Sequence, residues 1–348
     1  MNNKIFDLYK IDYLTKYNKY FNFIQEYEND IDVLEVLPIS LTDQYEIDLE
    51  NATEEVVYLD KENYLDRLRK YESLFTKISG AFINKLLLKS YLELEKNESI
   101  KTTLRGFKAQ LSGYAPKSKF TNLKTISGRL TVESGPNCLT LPARYRGIVK
   151  SSFRSGKILS FDFKSLEPRI CLKLAGRDTE SEDIYEQVND LLSFNADRSI
   201  IKRATISLLY GSGLKGLEGL SNERAKELIE IVSDFFGYDK VVEMAQIVNE
   251  NGRRKNFFGR PINNLMETKK HILTNNFVQS TAVDLALTYF SKLVDLVDLN
   301  LARPLFIIHD AIVFDVEDDY EPFIREIISK GYRDEKLGYF PLKIENFS

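Results

Sequence analysis

Two apolar runs stand out from a chain whose hydrophobic spacing is otherwise mostly helical. Residues 157–163, KILSFDF, and 304–316, PLFIIHDAIVFDV, are dense in Ile, Leu, Val and Phe, as buried strands are. Each holds a carboxylate that its apolar surroundings do not explain: Asp162 near the end of the first, and Asp310, beside His309, inside the second. A helix-like stretch over 167–176 follows the first run. Between the runs, about 140 residues repeat apolar positions three and four apart, predicting helices over 182–193, 197–210, 222–236, 239–251 and 268–293. Strands that bracket a helical excursion predict an α+β fold with a helical subdomain inserted into a sheet. Upstream, 4–29 reads as one or two amphipathic helices rich in Tyr and Phe, while 32–60 alternates apolar and polar residues as short strands do. From 64 to 111 the pattern is helical and basic, broken near Asn97 and closed at 113–116.

With 348 residues, 43% of them hydrophobic, the chain can bury a large core shared by two or three subdomains. It carries no fixed repeat and no low-complexity linker. No run of eighteen apolar residues occurs, and charges interrupt the first twenty positions, so an intracellular, cytoplasmic protein with no membrane partner is expected. Cys138 and Cys171 lack metal-ligand or CxxC spacing and are expected to be buried thiols. The net charge of −4 conceals a segregation along the chain. Residues 1–60 hold 14 acidic and four basic side chains, whereas 101–160 hold twelve basic ones against Glu133 alone. Phe107, Tyr114, Phe120, Tyr145 and Phe153 interleave with the basic set, the footprint of a surface that contacts phosphate backbones; a solvated basic face has the same composition.

A carboxylate in an apolar strand is costly without compensation, and a divalent cation is the common partner where two converge. Asp162 and Asp310 on adjacent strands are therefore candidates to hold a pair of ions roughly 3.5–4 Å apart, which would activate a primer hydroxyl and stabilise leaving pyrophosphate. Each aspartate alone is equally compatible with a helix cap or a turn. On the predicted helix 197–210, Arg198, Lys202, Ile206 and Tyr210 fall at successive i, i+4 steps and form one stripe. Two cations one turn apart suit a triphosphate, Ile206 suits a base, and Tyr210 with Gly211 ends the helix beside a templating base; a plain amphipathic helix shares this spacing. Asp48 and Glu50 have the D-x-E look of a proofreading exonuclease strand, without the further carboxylates that activity needs.

Taken in order, these segments carry a resemblance. FDFKSLEPRI (161–170) resembles motif A of family A DNA polymerases, RSIIKRATISLLYG (198–211) their motif B, and IIHDAIVFDV (307–316) their motif C. TISGRLTVESGPNCLTLP (125–142) resembles the family's T-x-x-G-R-L segment and Pro-Asn turn, and GRRKNFFGRPI and NNFVQSTAVD its Gly-Arg hairpin and N-x-x-x-Q helix. The resemblance covers roughly 125–348 and implies a right-hand polymerase fold: an antiparallel palm sheet, helical fingers inserted in the palm, and a short helical thumb. The implied boundaries are a reduced thumb over 61–124, palm over 125–172 and 263–348, and fingers over 173–262, leaving 1–60 as an acidic region of unassigned role. With about 125 residues ahead of the T-x-x-G-R-L segment, no 3′ exonuclease is expected, an economy more typical of a phage enzyme.

Position by position, the resemblance implies that Asp162 and Asp310 bind two Mg2+ ions, for which Mn2+ is a substitute, with the Phe163 backbone carbonyl as a further ligand. Arg198 and Lys202 would hold the incoming deoxynucleoside triphosphate, Lys202 also protonating pyrophosphate, with Ile206, Tyr210 and Glu167 completing the nucleotide site and Glu167 acting as steric gate against a 2′-hydroxyl. Arg129, Asn275, Gln279, His309 and Gly211 would meet the primer-template DNA. For residues 1–60, packing on the palm, mimicry of DNA charge, and docking of a primase, helicase or processivity factor all stand open. Two positions depart from the family. Ala311 stands where a third carboxylate usually follows His-Asp, and Ile206 replaces the aromatic that completes the sugar gate. Motif B also resembles that of single-subunit phage RNA polymerases, so a ribonucleotide-using or sugar-tolerant polymerase is the alternative; an inactive nucleic-acid-binding homologue is the third.

Overall fold

The computed structural model describes residues 3–26, 32–177, 181–211, 217, 219–248, 252–263 and 267–347. At its centre four antiparallel strands, β1 (Gly156–Phe163), β2 (Ala302–Ile308), β3 (Ala311–Glu317) and β4 (Leu342–Asn346), lie side by side in the order β4-β1-β3-β2. The two-residue period of a strand divides the C-terminal half of β1: Leu159, Phe161 and Phe163 are buried, while Ser160 and Asp162 point to the opposite face, which is closed at Ile158 and opens towards Asp162. The closed face packs on the 27-residue helix Lys270–Leu296, where the Phe163 ring meets Tyr289 at 5.5 Å and Phe290 at 6.0 Å. Asp162 is thus not submerged in the core that its sequence neighbours form.

The apolar run 304–316 is not one strand holding Asp310, as its hydrophobicity predicts, but two strands joined by a tight turn at His309 and Asp310. His309 adopts a φ of 57°, a conformation that two-residue turns usually give to Gly or Asn, so the turn carries backbone strain at the edge of the sheet. The excursion between β1 and β2 is helical as expected, with helices Leu166–Leu174, Ile184–Asn189, Arg198–Tyr210, Asn222–Phe235, Tyr238–Gln246 and Lys270–Leu296. Part of the 239–251 expectation lies outside the described residues.

The N-terminal strands expected over 32–60 do not form. Helices Val33–Val36 and Ile39–Leu59 occupy that stretch. Tyr45, Asp48, Ala52, Val56 and Leu59 are the buried positions, a three- and four-residue stripe, whereas Ile39, Ile47 and Val57 are exposed and create the apparent alternation. Asp48 accepts from the Tyr17 hydroxyl at 2.7 Å and from Gln44, and pairs with Lys16; Glu50 is exposed on another face, so the D-x-E pair is not a strand motif. Helices Asn3–Tyr9 and Asn18–Glu26 match the expectation for 4–29 over the described residues. This region packs on the rest of the molecule: Asn263 donates to the Asp7 and Leu8 carbonyls, and Arg253 to that of Tyr9.

Helices Tyr64–Lys77, Lys85–Leu94 and Glu98–Gly106 lie within 64–111, with a short strand Phe82–Ile83 between the first two, and the predicted break at Asn97 is a helix N-cap whose side chain accepts from the Ser99 and Ile100 amides. A buried cluster ties four distant segments together. Asp284 accepts from the Tyr64 hydroxyl at 2.8 Å and from Asn256 at 2.6 Å, and Arg260 donates to the Tyr64 hydroxyl at 2.9 Å and to the Asn122 carbonyl at 2.6 Å. Cys138 and Cys171 are buried free thiols. Among the described residues no helix is long and apolar enough to cross a membrane.

Candidate active site

Strand pairing sets the first row of the site. Asp162 in β1 lies opposite Ala311 in β3 on one side and opposite Lys343 in β4 on the other, which puts all three side chains on the same face. The Phe163 amide donates to the Asp310 carbonyl at 3.3 Å, fastening the turn to the end of β1 and bringing the second carboxylate beside the first. Burial, and after it the charge of Asp162, pushes the Asp310 carboxyl up to about 7. Burial also raises Asp162, against the opposing hydrogen bond and charge of Lys343, whose Nζ is 3.0 Å from Asp162 Oδ2. Two carboxylates raised by burial, Asp310 also by the charge of Asp162, offer hard oxygen donors that suit a divalent cation such as Mg2+ or Mn2+. No group of three or more His, Cys, Asp or Glu side chains is placed to hold a metal among the described residues, so any cation here draws further ligands from backbone, substrate or water.

The helix Arg198–Tyr210 lines the same cavity as this row. This cavity, of about 540 Å3, is lined by Asp162, Phe163 and Asp310 together with Arg198, Lys202, Ile206, Glu167 and Lys343. Arg198 is held in place by Asp183, to which its Nε donates, and by the Tyr185 ring, 4.9 Å from the guanidinium carbon. Lys202 is exposed and forms no ion pair among the described residues. Ile206 is 41% exposed, an apolar surface facing the cavity. The helix ends at Gly211, whose φ of 71° forms the C-cap, and a Cβ there would collide with the His271 ring.

A second, smaller cavity of about 260 Å3 shares Leu166, Glu167 and Asp310 with the first and adds Arg129, Tyr210, Gln279 and His309. The Tyr210 hydroxyl is the hub here. It accepts from Arg129 Nη2 at 2.9 Å and Gln279 Nε2 at 2.9 Å, and donates to Glu167 Oε2 at 3.2 Å. Arg129 also donates to Glu167 Oε1 at 3.3 Å, and Gln279 to Asn275 Oδ1 at 2.7 Å. Burial first, then the Glu167 charge, keeps the Tyr210 hydroxyl above its ordinary range and hence a donor. His309 is lowered by burial and by Arg129, which favours its neutral form. Gly128, with a φ of 72°, lies so close to Arg260 that a Cβ would come within 2.8 Å of the guanidinium carbon. The buried Arg260 cluster therefore seats the loop that presents Arg129.

Every residue that the resemblance assigns to the site falls in or beside these two cavities; Gly211 and Asn275 line neither but adjoin Tyr210 and Gln279, whereas Asp48 and Glu50 lie in the helix Ile39–Leu59. Sequence reasoning missed Asp183, Tyr185 and Lys343. Asp183 carried a signal as an N-cap, accepting from the Tyr185 amide, whereas Lys343 had none. The basic set over 101–160 is more neutral than its local count, since Glu95, Glu98, Asp318 and Glu321 reach it from outside. Lys108, Lys117, Lys119, Lys150 and Arg154 are exposed without an ion pair among the described residues.

The sequence model of DNA polymerase family A matches residues 37–345. Among solved structures, the chain is similar to the POL domain of Pol1 from M. smegmatis in complex with DNA primer-template and dNTP, with a TM-score of 0.57 and 18% identity, covering 72% of this chain and 51% of that one. The chain thus spans about half the length of that structure, and the likeness is one of fold: a right hand with an antiparallel palm sheet and helices inserted into it. No curated protein matches the chain. The match over most of its length, together with the order and geometry of these segments, shows that this chain belongs to DNA polymerase family A.

Proposed function

We propose that the chain is a template-directed DNA polymerase that adds deoxynucleotides to a primer 3′ end by two-metal nucleotidyl transfer. The observation that carries the reading is one cavity lined together by the Asp162 and Asp310 carboxylates and by Arg198 and Lys202. Carboxylates and cations around one cavity fit a ligand that brings both a triphosphate and divalent ions. Asp162, Asp310 and the Phe163 carbonyl would hold Mg2+ or Mn2+, and ions bound there would supply Lewis-acid charge to the attacking and leaving oxygens. Arg198, preset by Asp183 and Tyr185, grips the phosphates, and the unpaired Lys202 gives a proton to the leaving pyrophosphate. Glu167, fixed by Tyr210 and Arg129, is the wall beside the sugar. Arg129, Gln279, Asn275 and His309 meet the minor groove of the primer-template in the second cavity, and the unpaired lysines and Arg154 its phosphates.

In this reading the thumb spans 61–124, the palm 125–172 and 263–348, and the fingers 173–262. No proofreading is included, because Asp48 is engaged by Tyr17, Gln44 and Lys16. A sugar-tolerant polymerase is the second reading, favoured by Ile206, an aliphatic side chain where the family's gate has a stacking aromatic. Magnesium-dependent extension of a labelled primer, with deoxynucleotides and ribonucleotides in parallel and Asp162→Ala as control, separates them. Extension with deoxynucleotides alone, reduced at least about a thousandfold in the variant, supports the first reading. Equal extension with ribonucleotides supports the second, and no extension by the wild type refutes both.

A further inference from the structure

Lys343 is the charged group of the site that no motif announces. It pairs across the sheet with Asp162, lines the same cavity as Arg198 and Lys202, and reaches two acceptors at once: Asp162 Oδ2 at 3.0 Å and Glu345 Oε1 at 2.9 Å. Glu345 stands two residues further along β4 and so rises from the same face, opposite Ser160. On the other side of Asp162 the row continues with the apolar Ala311 and Ile308. The charged neighbour of Asp162 in this row is therefore a cation.

An ion pair at a sheet margin usually contributes little to stability, and Lys343 is 38% exposed. Its placement on a carboxylate that faces the cavity has a larger consequence for binding. An ammonium at 3.0 Å occupies an oxygen that a divalent cation needs, and two cations on one carboxylate oxygen repel. We infer that Lys343 is a built-in counter-ion for Asp162, occupying the carboxylate when no divalent cation is bound and yielding it by turning to Glu345 when one binds. The inference rests on the proposed function, in which Asp162 and Asp310 are the cation ligands. It makes cation binding an exchange: the entering ion must displace an ammonium, and Glu345 supplies the place where that ammonium goes. The resting site binds cations weakly, and the negative charge of an arriving triphosphate, shared among Arg198, Lys202 and Lys343, tips the exchange. Cation and nucleotide thus load together, which protects the free enzyme from holding a metal without a substrate.

The test is Mn2+ binding to the full chain without DNA or nucleotide, followed by the paramagnetic resonance signal of the free ion. Lys343→Met is expected to bind Mn2+ at least about tenfold more tightly than wild type, and Lys343→Gln to behave likewise should the Met variant fold poorly. Glu345→Gln alone should weaken binding, and the double variant Lys343→Met with Glu345→Gln should match Lys343→Met, because the landing place matters only while the lysine is present. Unchanged or weaker Mn2+ binding in both Lys343 variants, with binding still lost in Asp310→Asn, overturns the counter-ion role and leaves the proposed function standing. A Glu345→Gln effect of equal size with and without Lys343 reduces it to through-space charge and overturns the exchange. Binding unaffected by Asp310→Asn overturns the cation site itself.

Discussion

Two sets of charges in this molecule are treated in opposite ways. Asp284 and Arg260 are fully buried, yet Asp284 accepts from Tyr64 and Asn256, and Arg260 donates to Tyr64 and the Asn122 carbonyl. Asp310 and Lys202, at the cavity, have no side-chain partner among the described residues, and Asp310 is held near neutrality with a carboxyl at about 7. Burial raises both aspartates, but around Asp284 the fold supplies a guanidinium and donors that oppose it, whereas around Asp310 it adds another carboxylate. A charge whose partners come from the chain stabilises the fold; a charge left wanting a partner marks where a ligand goes.

The contrast can be broken from either side. Asp284→Ala leaves Arg260 without its compensating charge in a dry cluster and should cost about 3–5 kcal/mol in chemical denaturation. At the cavity, Lys202→Ala should lower kcat/KM for the nucleotide roughly a hundredfold while leaving the denaturation midpoint within error, since the side chain is exposed. Gly128→Ala joins the two regions, because the new methyl meets Arg260 and the residue must keep a φ of 72°. It should cost about 1–3 kcal/mol and also raise KM for primer-template through the displaced Arg129.

The smallest effect is one of pH. The folded chain holds the Asp310 proton more tightly than the unfolded chain, so this group's contribution is fully present below the ordinary carboxylate range of about 4 and is lost as pH rises through about 7. The melting temperature of the metal-free protein should therefore decline over that window more steeply than that of Asp310→Asn, and an equal slope in both would remove the basis for calling Asp310 unbalanced.

What the sequence disclosed follows from how local each signal is. Asp162, Arg198, Lys202 and Tyr210 were legible because strand period and helix stripe lie within a dozen residues of chain. The turn at His309 and Asp310 was hidden by an apolar run with no Gly or Asn to announce it. The helix Ile39–Leu59 read as strands because exposed Ile39, Ile47 and Val57 mimic alternation. Lys343 depends on the pairing of β4 with β1 across 181 positions, the separation of Lys343 from Asp162, and no local pattern encodes such a register.

In the proposed polymerase Asp310 is present for chemistry and not for the fold. Primer extension and thermal melting, measured on the same preparations of wild type and Asp310→Asn without added metal in the melt, test it most directly. The account predicts a melting temperature equal to or above wild type at neutral pH together with extension reduced at least about a thousandfold in magnesium. Extension within tenfold of wild type, or loss of the folded state, would contradict it.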